Sequence, residues 1–196
     1  MAKASGPHAT REKMVATAMR LICQNGYTAT SWRRLVEEAG TPWGSAYHHF
    51  PGGKEQLAVA AVELGVERSS EIVRKAFAEH DSTEDAIRSL FRHAGQVLVK
   101  GDFRMGSPLA TITLETAHIS PALTEACRQG FQAWHQLLVG LLTERGHPDP
   151  PGLAVAIVTN MEGALVLCRI HRTLDALDRA ADHVALLAAQ SAEPIA

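Results

Sequence analysis

The sequence has 196 residues, of which 46% are hydrophobic and 20% charged, a composition that supports a packed core and excludes a disordered chain. Aromatic residues make up 5%, and the abundant Leu, Ala and Val favour helices over sheets. The net charge of −2 argues against general affinity for nucleic acid, yet the residues up to Gln56 include seven basic and only four acidic ones. A basic N-terminal part on an acidic remainder suits a protein that presents one end to phosphates.

Three short helices are predicted at the N-terminus. The first ends at Gly26 and has apolar residues at the helical spacing i, i+3, i+4 and i+7, namely Val15, Ala18, Met19 and Ile22. Ser31 is expected to cap a second helix that ends at Gly40 and has the apolar face Trp32, Leu35, Val36 and Ala39. Thr41 and Pro42 are predicted to be the N-cap and first residue of a third helix. It ends near Phe50, before the helix-breaking residues 51–53.

Six longer helices are predicted after this break. They cover about 54–79, a segment after Ser82, about 109–118, a segment from Pro121, about 152–171 and about 174–190. No segment has the alternating pattern of a strand. The sequence therefore predicts an all-α fold of about nine helices, with an N-terminal helix-turn-helix domain at 1–53 and a helical ligand-binding and dimerisation domain at 54–196.

The eighth predicted helix is apolar on more than one side. A helix that is apolar all round must be buried all round. One face would then meet its own domain and the other a second subunit, although the central core helix of a monomer has the same pattern.

The second helix, the turn at Gly40 and the third helix have the lengths of a helix-turn-helix. Four residues share one face of the third helix, namely Trp43, Gly44, Tyr47 and His48. The opposite side carries Ala46, His49 and Phe50, which can pack on the first two helices. Gly44 permits close approach of another backbone. The side chains of Thr41, Ser45, Tyr47 and His48 can hydrogen-bond phosphates and base edges.

This segment resembles the TetR family of repressors. The resemblance covers the first third of the chain and rests on Gly26-Tyr27, Thr30-Ser31, Leu35, Ala39-Gly40, Gly44, Tyr47-His48-His49-Phe50 and Lys54-Glu55-Gln56-Leu57. A looser similarity to the LmrA/YxaF-type subgroup rests on residues 50–54, Gly106-Ser107-Pro108-Leu109-Ala110 and Leu114-Glu115.

The resemblance implies an Ω-shaped homodimer with one DNA-binding head per subunit. It also implies a four-helix dimer interface from helices 8 and 9, and a ligand pocket among helices 4 to 8. Recognition helices must lie about 34–36 Å apart to reach successive major grooves of a palindromic site. A ligand that binds only the wrongly spaced state lowers operator affinity. The expected function is a transcriptional repressor of double-stranded operator DNA, released by a small, mostly apolar effector and needing no cofactor or metal.

The resemblance also implies a set of DNA-contacting residues, namely Thr30, Ser31, Arg33, Thr41, Trp43, Gly44, Ser45, Tyr47, His48 and Lys54. One of them departs from the family, in which the residue before Gly44 is often basic. Trp43 can stack or contact a thymine methyl group, but it cannot neutralise a phosphate. Pro42 replaces a common serine, so Thr41 is expected to provide the cap of the third helix.

The candidate pocket has mostly apolar walls with a few polar groups, as small-molecule sites do. The walls are Phe91, Met105, Leu114, Phe131, Trp134, Leu138, Met161 and Leu165, and the polar candidates are Glu115, His135, Asn160, Glu162 and Arg169. Residues of these types also form ordinary helical cores. Asn160 and Glu162 lie within an otherwise apolar helix and need a partner, so we expect at least one of them to line the pocket.

Catalytic alternatives have weaker support. Glu115 and His118 have the spacing of a helix-borne di-iron ligand pair, but the one other such match, at 144–147, straddles Gly146. Ser107 and Cys127 lack a neighbouring base motif, so no enzyme is expected. The alternative is a helical-bundle ligand-binding or metal-dependent protein that does not bind DNA.

The cysteines and the apolar segments predict the compartment. Cys23, Cys127 and Cys168 are far apart and form no CxxC pair, so neither a zinc site nor a disulfide framework is expected. Residues 1–10 do not resemble a signal peptide, and the apolar run 153–158 is too short to span a bilayer. A cytoplasmic protein without a membrane partner is expected.

Overall fold

A computed structural model describes residues 7–190 of the chain. These residues form helices without any strand: α1 (Pro7–Asn25), α2 (Trp32–Glu38), α3 (Trp43–His49), α4 (Gly53–Ala78), α5 (Thr83–Lys100), α6 (Pro108–Thr116), α7 (Pro121–Glu144), α8 (Pro150–His171) and α9 (Asp175–Gln190). The predicted all-α class is confirmed, and most helix ends lie within two residues of their predicted positions.

The helix starts follow local capping chemistry. Ser31 is the N-cap of α2, and its hydroxyl accepts a hydrogen bond from the Arg34 N–H. The prediction that Thr41 caps α3 was wrong, because Pro42 occupies the N-cap position and provides no side-chain bond. Pro42 has extended backbone, so the helix begins one residue later than expected. Thr41 is then too far from the first turn, and its hydroxyl points to the Ala39 carbonyl oxygen.

The chain divides into two compact units. The first contains the residues up to Val66 together with Pro108–Gly130, and the second contains Glu67–Ser107 and the residues from Phe131 onward. Each unit is therefore built from two separate stretches of chain. The domain boundary after residue 53 stays a prediction, but the structure groups α6 and the first part of α7 with the N-terminal helices.

The first unit has a core of fully buried side chains, the largest of which are Phe50, Met14, Leu21, Ile22, Leu35, Leu57, Leu109, Ile112 and Leu123. Ile22 and Leu35 are among the residues that the helical spacing predicts, whereas Met14 and Leu21 are not. The predicted Met19 is only half-buried. Gly65 allows α6 to approach α4, since a Cβ at this position would lie 2.7 Å from Cγ of Pro108. Close packing of this kind fixes α6 against the helix that follows the helix-turn-helix.

The second unit has its own apolar core from the C-terminal half of α4 and from α5, α7, α8 and α9. Arg145 closes the end of α4 beside this core. Its guanidinium donates to the carbonyl oxygens of Phe77, His80 and Asp81 and lies 5.1 Å from the centroid of the Phe77 ring. One side chain thus satisfies three carbonyl groups at and beyond the end of α4, which have no partner within the helix.

Helix α8 is apolar on two sides, as predicted. One side is buried in the second unit and consists of Leu153, Ala154, Ile157, Ala164 and Cys168. The other side is exposed and includes Val155, Val166, Leu167 and Ile170. Within residues 7–190, this helix alone is long and apolar enough to cross a membrane by length and composition. The buried side shows that α8 also serves as a core helix of the second unit.

Candidate nucleic-acid interface

The helix-turn-helix is held together by a small apolar core. Leu35, Val36 and Ala39 of α2 are buried, as are Ala46 of α3 and Phe50 directly after it. Gly40 forms the turn with a φ of +57°, a conformation that favours glycine. The Thr41 N–H then donates to the Val36 carbonyl oxygen at 3.2 Å. These contacts fix α3 on α2 and determine which face of α3 is free.

The free face of α3 carries four of the predicted DNA contacts. Trp43 and Tyr47 are 45% and 53% exposed, although both are large aromatic residues. Gly44 and His48 are also exposed, and Ser45 is half-buried. A Cβ added to Gly44 would have no neighbour within 4 Å, so no contact among residues 7–190 requires glycine at this position. Exposed aromatic residues leave apolar surface in contact with water, and binding in a groove of DNA would cover that surface.

An aromatic row supports this face. The ring centroids of Trp43 and Tyr47 are 6.4 Å apart, and those of Tyr47 and Trp32 are 5.6 Å apart. Trp32 is half-buried at the start of α2, and its indole Nε1 is buried without a hydrogen-bond partner. The sequence pattern predicted Trp32 as an ordinary apolar residue of α2. Its contact with Tyr47 crosses from α2 to α3 and has no sequence signature.

Two of the predicted DNA contacts outside α3 are basic residues, Arg33 of α2 and Lys54 of α4. Arg33 is exposed, and its hydrogen bond to Glu37 at 2.7 Å raises the pKa of the guanidinium. Lys54 at the start of α4 is half-buried, with its Nζ 4.0 Å from the centroid of the Tyr27 ring. Burial lowers the pKa of Lys54, and the Glu115 carboxylate acts in the opposite direction. Both residues carry the positive charge that phosphate contact requires.

Two predicted DNA contacts are placed differently by the structure. Thr30 is fully buried, and its hydroxyl donates to the Gly26 carbonyl oxygen at 2.7 Å. Thr41 is buried in the turn before α3. Both hydroxyls stabilise the backbone of a turn, so these residues shape the interface without presenting a side chain to it. Ser31 is exposed, but its hydroxyl is engaged as the cap of α2.

Glu115 has a role that the sequence did not indicate. One of its carboxylate oxygens accepts from the Tyr27 N–H at 3.1 Å, and the other accepts from the Thr28 N–H at 2.7 Å. Gly26 beside them has a φ of +87°, and a Cβ there would overlap the carboxylate. We expected Glu115 to anchor a ligand in the pocket, but its carboxylate is engaged by the backbone of residues 27 and 28. We call the contact of Glu115 with residues 26–28 the corner clamp.

Leu114 was expected to form a wall of the pocket, but it lies on the surface. It is 85% exposed, because α6 packs through Leu109, Ile112 and Thr116, which lie on another face. His118 is exposed as well, and Glu115 is engaged in the corner clamp. The described residues contain no group of three or more His, Cys, Asp or Glu side chains that could hold a metal ion.

The other predicted pocket residues lie in the second unit. Phe91 and Leu138 are buried, and the remaining ones are half-buried: Met105, Phe131, Trp134, His135, Asn160, Met161, Glu162, Leu165 and Arg169. Phe131 and Trp134 pack edge to face with centroids 5.8 Å apart. An open groove of about 250 Å³ between α5 and α9 contains Phe91, but none of the others.

Asn160 and Glu162, the polar candidates in the middle of α8, have different environments. Asn160 donates to the Ala156 carbonyl oxygen one turn earlier, at 2.8 Å. Burial raises the pKa of Glu162, and its hydrogen bond with Ser107 lowers it. Neither residue is fully in solvent. Both side chains thus have a partner within the protein, which is a carbonyl group of the same helix for Asn160 and Ser107 for Glu162.

An exposed aromatic and polar recognition helix on a helix-turn-helix defines a DNA-binding transcriptional regulator. Comparisons with known proteins agree with this class. A family model described as bacterial regulatory proteins of the tetR family matches residues 14–61. A second model, the C-terminal domain of LmrA/YxaF-like transcriptional regulators, matches residues 83–183.

Individual relatives show the same similarity. The chain is 32% identical over 180 residues to an HTH-type transcriptional regulator of Mycobacterium tuberculosis, with 86% of this chain and 88% of the relative covered. It is 31% identical over 160 residues to the HTH-type regulator YxaF of Bacillus subtilis, with 81% and 84% covered. The crystal structure of a TetR regulator from Chloroflexus aurantiacus matches with a TM-score of 0.70 at 30% identity, covering 94% and 96%.

The chain belongs to the TetR family of transcriptional regulators, with a C-terminal domain of the LmrA/YxaF-like type. Proteins of this family bind DNA through their helix-turn-helix and are not enzymes, which confirms the prediction of a non-enzymatic regulator.

Proposed function

We propose that this protein is a dimeric repressor that binds a palindromic operator in the cytoplasm and is released by a small, mostly apolar effector. The single observation that supports the DNA-binding mode best is the exposed face of α3, with Trp43, Gly44, Tyr47 and His48 side by side. The contact set comprises these residues with Ser45, Arg33 and Lys54. The remaining candidates support the contact set indirectly. Thr30 and Thr41 stabilise turns of the backbone, and Ser31 caps α2.

The proposed dimer interface consists of α8 and α9. Exposed apolar residues are concentrated on α8, with Leu186 exposed on α9. Large exposed apolar surfaces indicate association sites in soluble proteins. Ile170→Glu places a charge on this surface and is expected to give monomers in light scattering after size exclusion. Leu114→Glu, a charge at an exposed leucine of the first unit, is the matched control and should leave the dimer intact.

The proposed effector site lies in the second unit and uses its half-buried aromatic and aliphatic residues. Phe131 and Trp134 offer apolar contact, and Glu162 is a half-buried polar candidate that forms a hydrogen bond with Ser107. Such a combination of apolar walls with one or two polar groups is typical of small-molecule sites. An effector that binds the state with the wrong spacing of heads would lower operator affinity through linkage.

The test is a fluorescence-anisotropy titration of the full-length protein against DNA that flanks its own gene. Tyr47→Ala and Arg33→Ala should weaken saturable binding, and affinity should fall steeply with salt. Arg74→Ala, which removes an exposed charge from the second unit, is the control and should bind as the parent does. If selection from random-sequence DNA also finds no bound duplex, the alternative of a helical ligand-binding protein without DNA binding holds.

A further inference from the structure

Trp43 is the first residue of α3, and the N-terminal residues of a recognition helix are those that contact base edges. We propose that Trp43 determines operator sequence by apolar contact with the 5-methyl group of a thymine in the major groove of each half-site. This inference rests on the proposed function, because it assumes that α3 enters the groove. It adds the chemical feature of the base that the helix recognises.

The chemistry of the indole ring limits what Trp43 can recognise. An indole has one donor, Nε1–H, and no acceptor, so it cannot form the paired hydrogen bonds that identify guanine or adenine. Its large exposed surface is apolar. The thymine methyl is the one apolar group that the Watson–Crick pairs present in the major groove. Contact between the two removes apolar surface from water on both sides.

The residues around Trp43 favour the same contact. Gly44 adds no side chain beside the indole, and a Cβ there would have no neighbour within 4 Å in the part of the chain that the structure describes, so a base edge can approach. Tyr47 lies one turn further along the same face, with its ring centroid 6.4 Å from that of Trp43. Tyr47 in turn contacts the half-buried Trp32. This aromatic row restricts the rotamers of Trp43 before binding, which lowers the entropy lost in the complex.

The basic residues account for the other part of binding. Arg33 and Lys54 carry charge that phosphates attract, and neither distinguishes thymine from other bases in that role. Sequence preference and phosphate affinity are therefore assigned to different side chains. A variant that removes charge should weaken binding to all duplexes equally, whereas a variant at Trp43 should change the preference between duplexes.

The experiment compares operators in which deoxyuridine replaces thymine at one symmetric pair of positions at a time. Uracil pairs as thymine does but lacks the methyl group. The operator is selected from random-sequence DNA with the parent protein, and affinity is measured by anisotropy. The parent is expected to lose about four-fold in affinity per half-site at one such pair, the value of one buried methyl group. Trp43→Ala should bind both duplexes equally.

Two further variants keep the outcome decisive. Arg33→Ala should weaken both duplexes and retain the preference for thymine. Trp43→Phe keeps an apolar ring and should retain part of the preference, so it replaces Trp43→Ala if that variant does not fold or bind. Failure to select any operator contradicts the proposed function. Selection of an operator without thymine in its half-sites, or equal affinity of the parent for thymine and uracil at every position, overturns this inference alone. So does a preference that persists in Trp43→Ala.

Discussion

Replacing Glu115 with alanine removes both acceptors of the corner clamp and leaves the Tyr27 and Thr28 N–H groups without their partner. A hydrogen bond to a charged group contributes about 1.5–3 kcal/mol. The Thr28 end is exposed, so water replaces part of that bond, and we expect about 2–3 kcal/mol in total. Glu115→Gln keeps one acceptor oxygen and should lose roughly half of this.

The assay is hydrogen exchange of the backbone amides of residues 27 and 28 in the full-length protein. A loss of about 2–3 kcal/mol raises the exchange rate of these amides by about 30- to 150-fold when exchange follows local opening. Glu115→Gln should give an intermediate rate. The control is Glu125→Ala, which removes a carboxylate of α7 that pairs with Arg128 on the surface and should leave the amides unchanged.

The graded order of the variants tests the reasoning. Unchanged protection in Glu115→Ala would show that the two bonds contribute nothing to the stability of the corner. Equal exchange in the alanine and glutamine variants would show that the separate bonds to the two oxygens are not the relevant feature. An effect of Glu125→Ala as large as that of Glu115→Ala would point to charge instead of geometry.

Three further predictions concern other parts of the chain. Gly44→Ala should raise the free energy of unfolding by about 0.5–1 kcal/mol, as alanine does within helices. It should also weaken operator binding, because its Cβ would obstruct a base or phosphate. Unchanged affinity would contradict the close approach of DNA to the backbone at residue 44. Arg145→Met keeps the aliphatic stem but removes the donors to the end of α4, so urea denaturation should show a loss of about 2–3 kcal/mol; an unchanged midpoint would mean that water satisfies these carbonyls equally well. Burial raises the pKa of Glu162, so its stabilising contribution is complete below the pKa of the unfolded chain and is lost as pH rises through the folded pKa. Glu162→Gln should therefore be more stable than the parent at neutral pH with a flatter pH profile, and parallel profiles would refute this.

The helices and the exposed face of α3 were predictable because each depends on residues that are close together in the sequence. Ser31 caps α2 through a residue three positions away, and the spacing of Trp43 and Tyr47 places them on one face. The prediction from neighbouring residues was wrong at Thr41. Thr41 was expected to be the N-cap because of its residue type, but the extended backbone of Pro42 places the start of the helix beyond the reach of the Thr41 hydroxyl.

Contacts between distant parts of the chain were not predictable. The corner clamp joins residues 87 and 88 positions apart, and no periodicity or capping pattern extends over such a separation. Glu115 and Leu114 were expected in a ligand pocket because a family pattern and an apolar helix suggested it. The structure turns the carboxylate towards Gly26 and leaves the leucine exposed. The row from Trp32 to Tyr47 escaped prediction for the same reason.

The corner clamp also limits how regulators of this type can be recombined. A chimera that takes residues 1–53 from another protein would keep Glu115 from the host, and any side chain at position 26 of the donor would collide with it. The compact first unit suggests a better junction, because it includes Pro108–Gly130. Transfer of a DNA-binding specificity therefore requires two exchanged segments, since a single cut after the third helix separates parts of one compact unit.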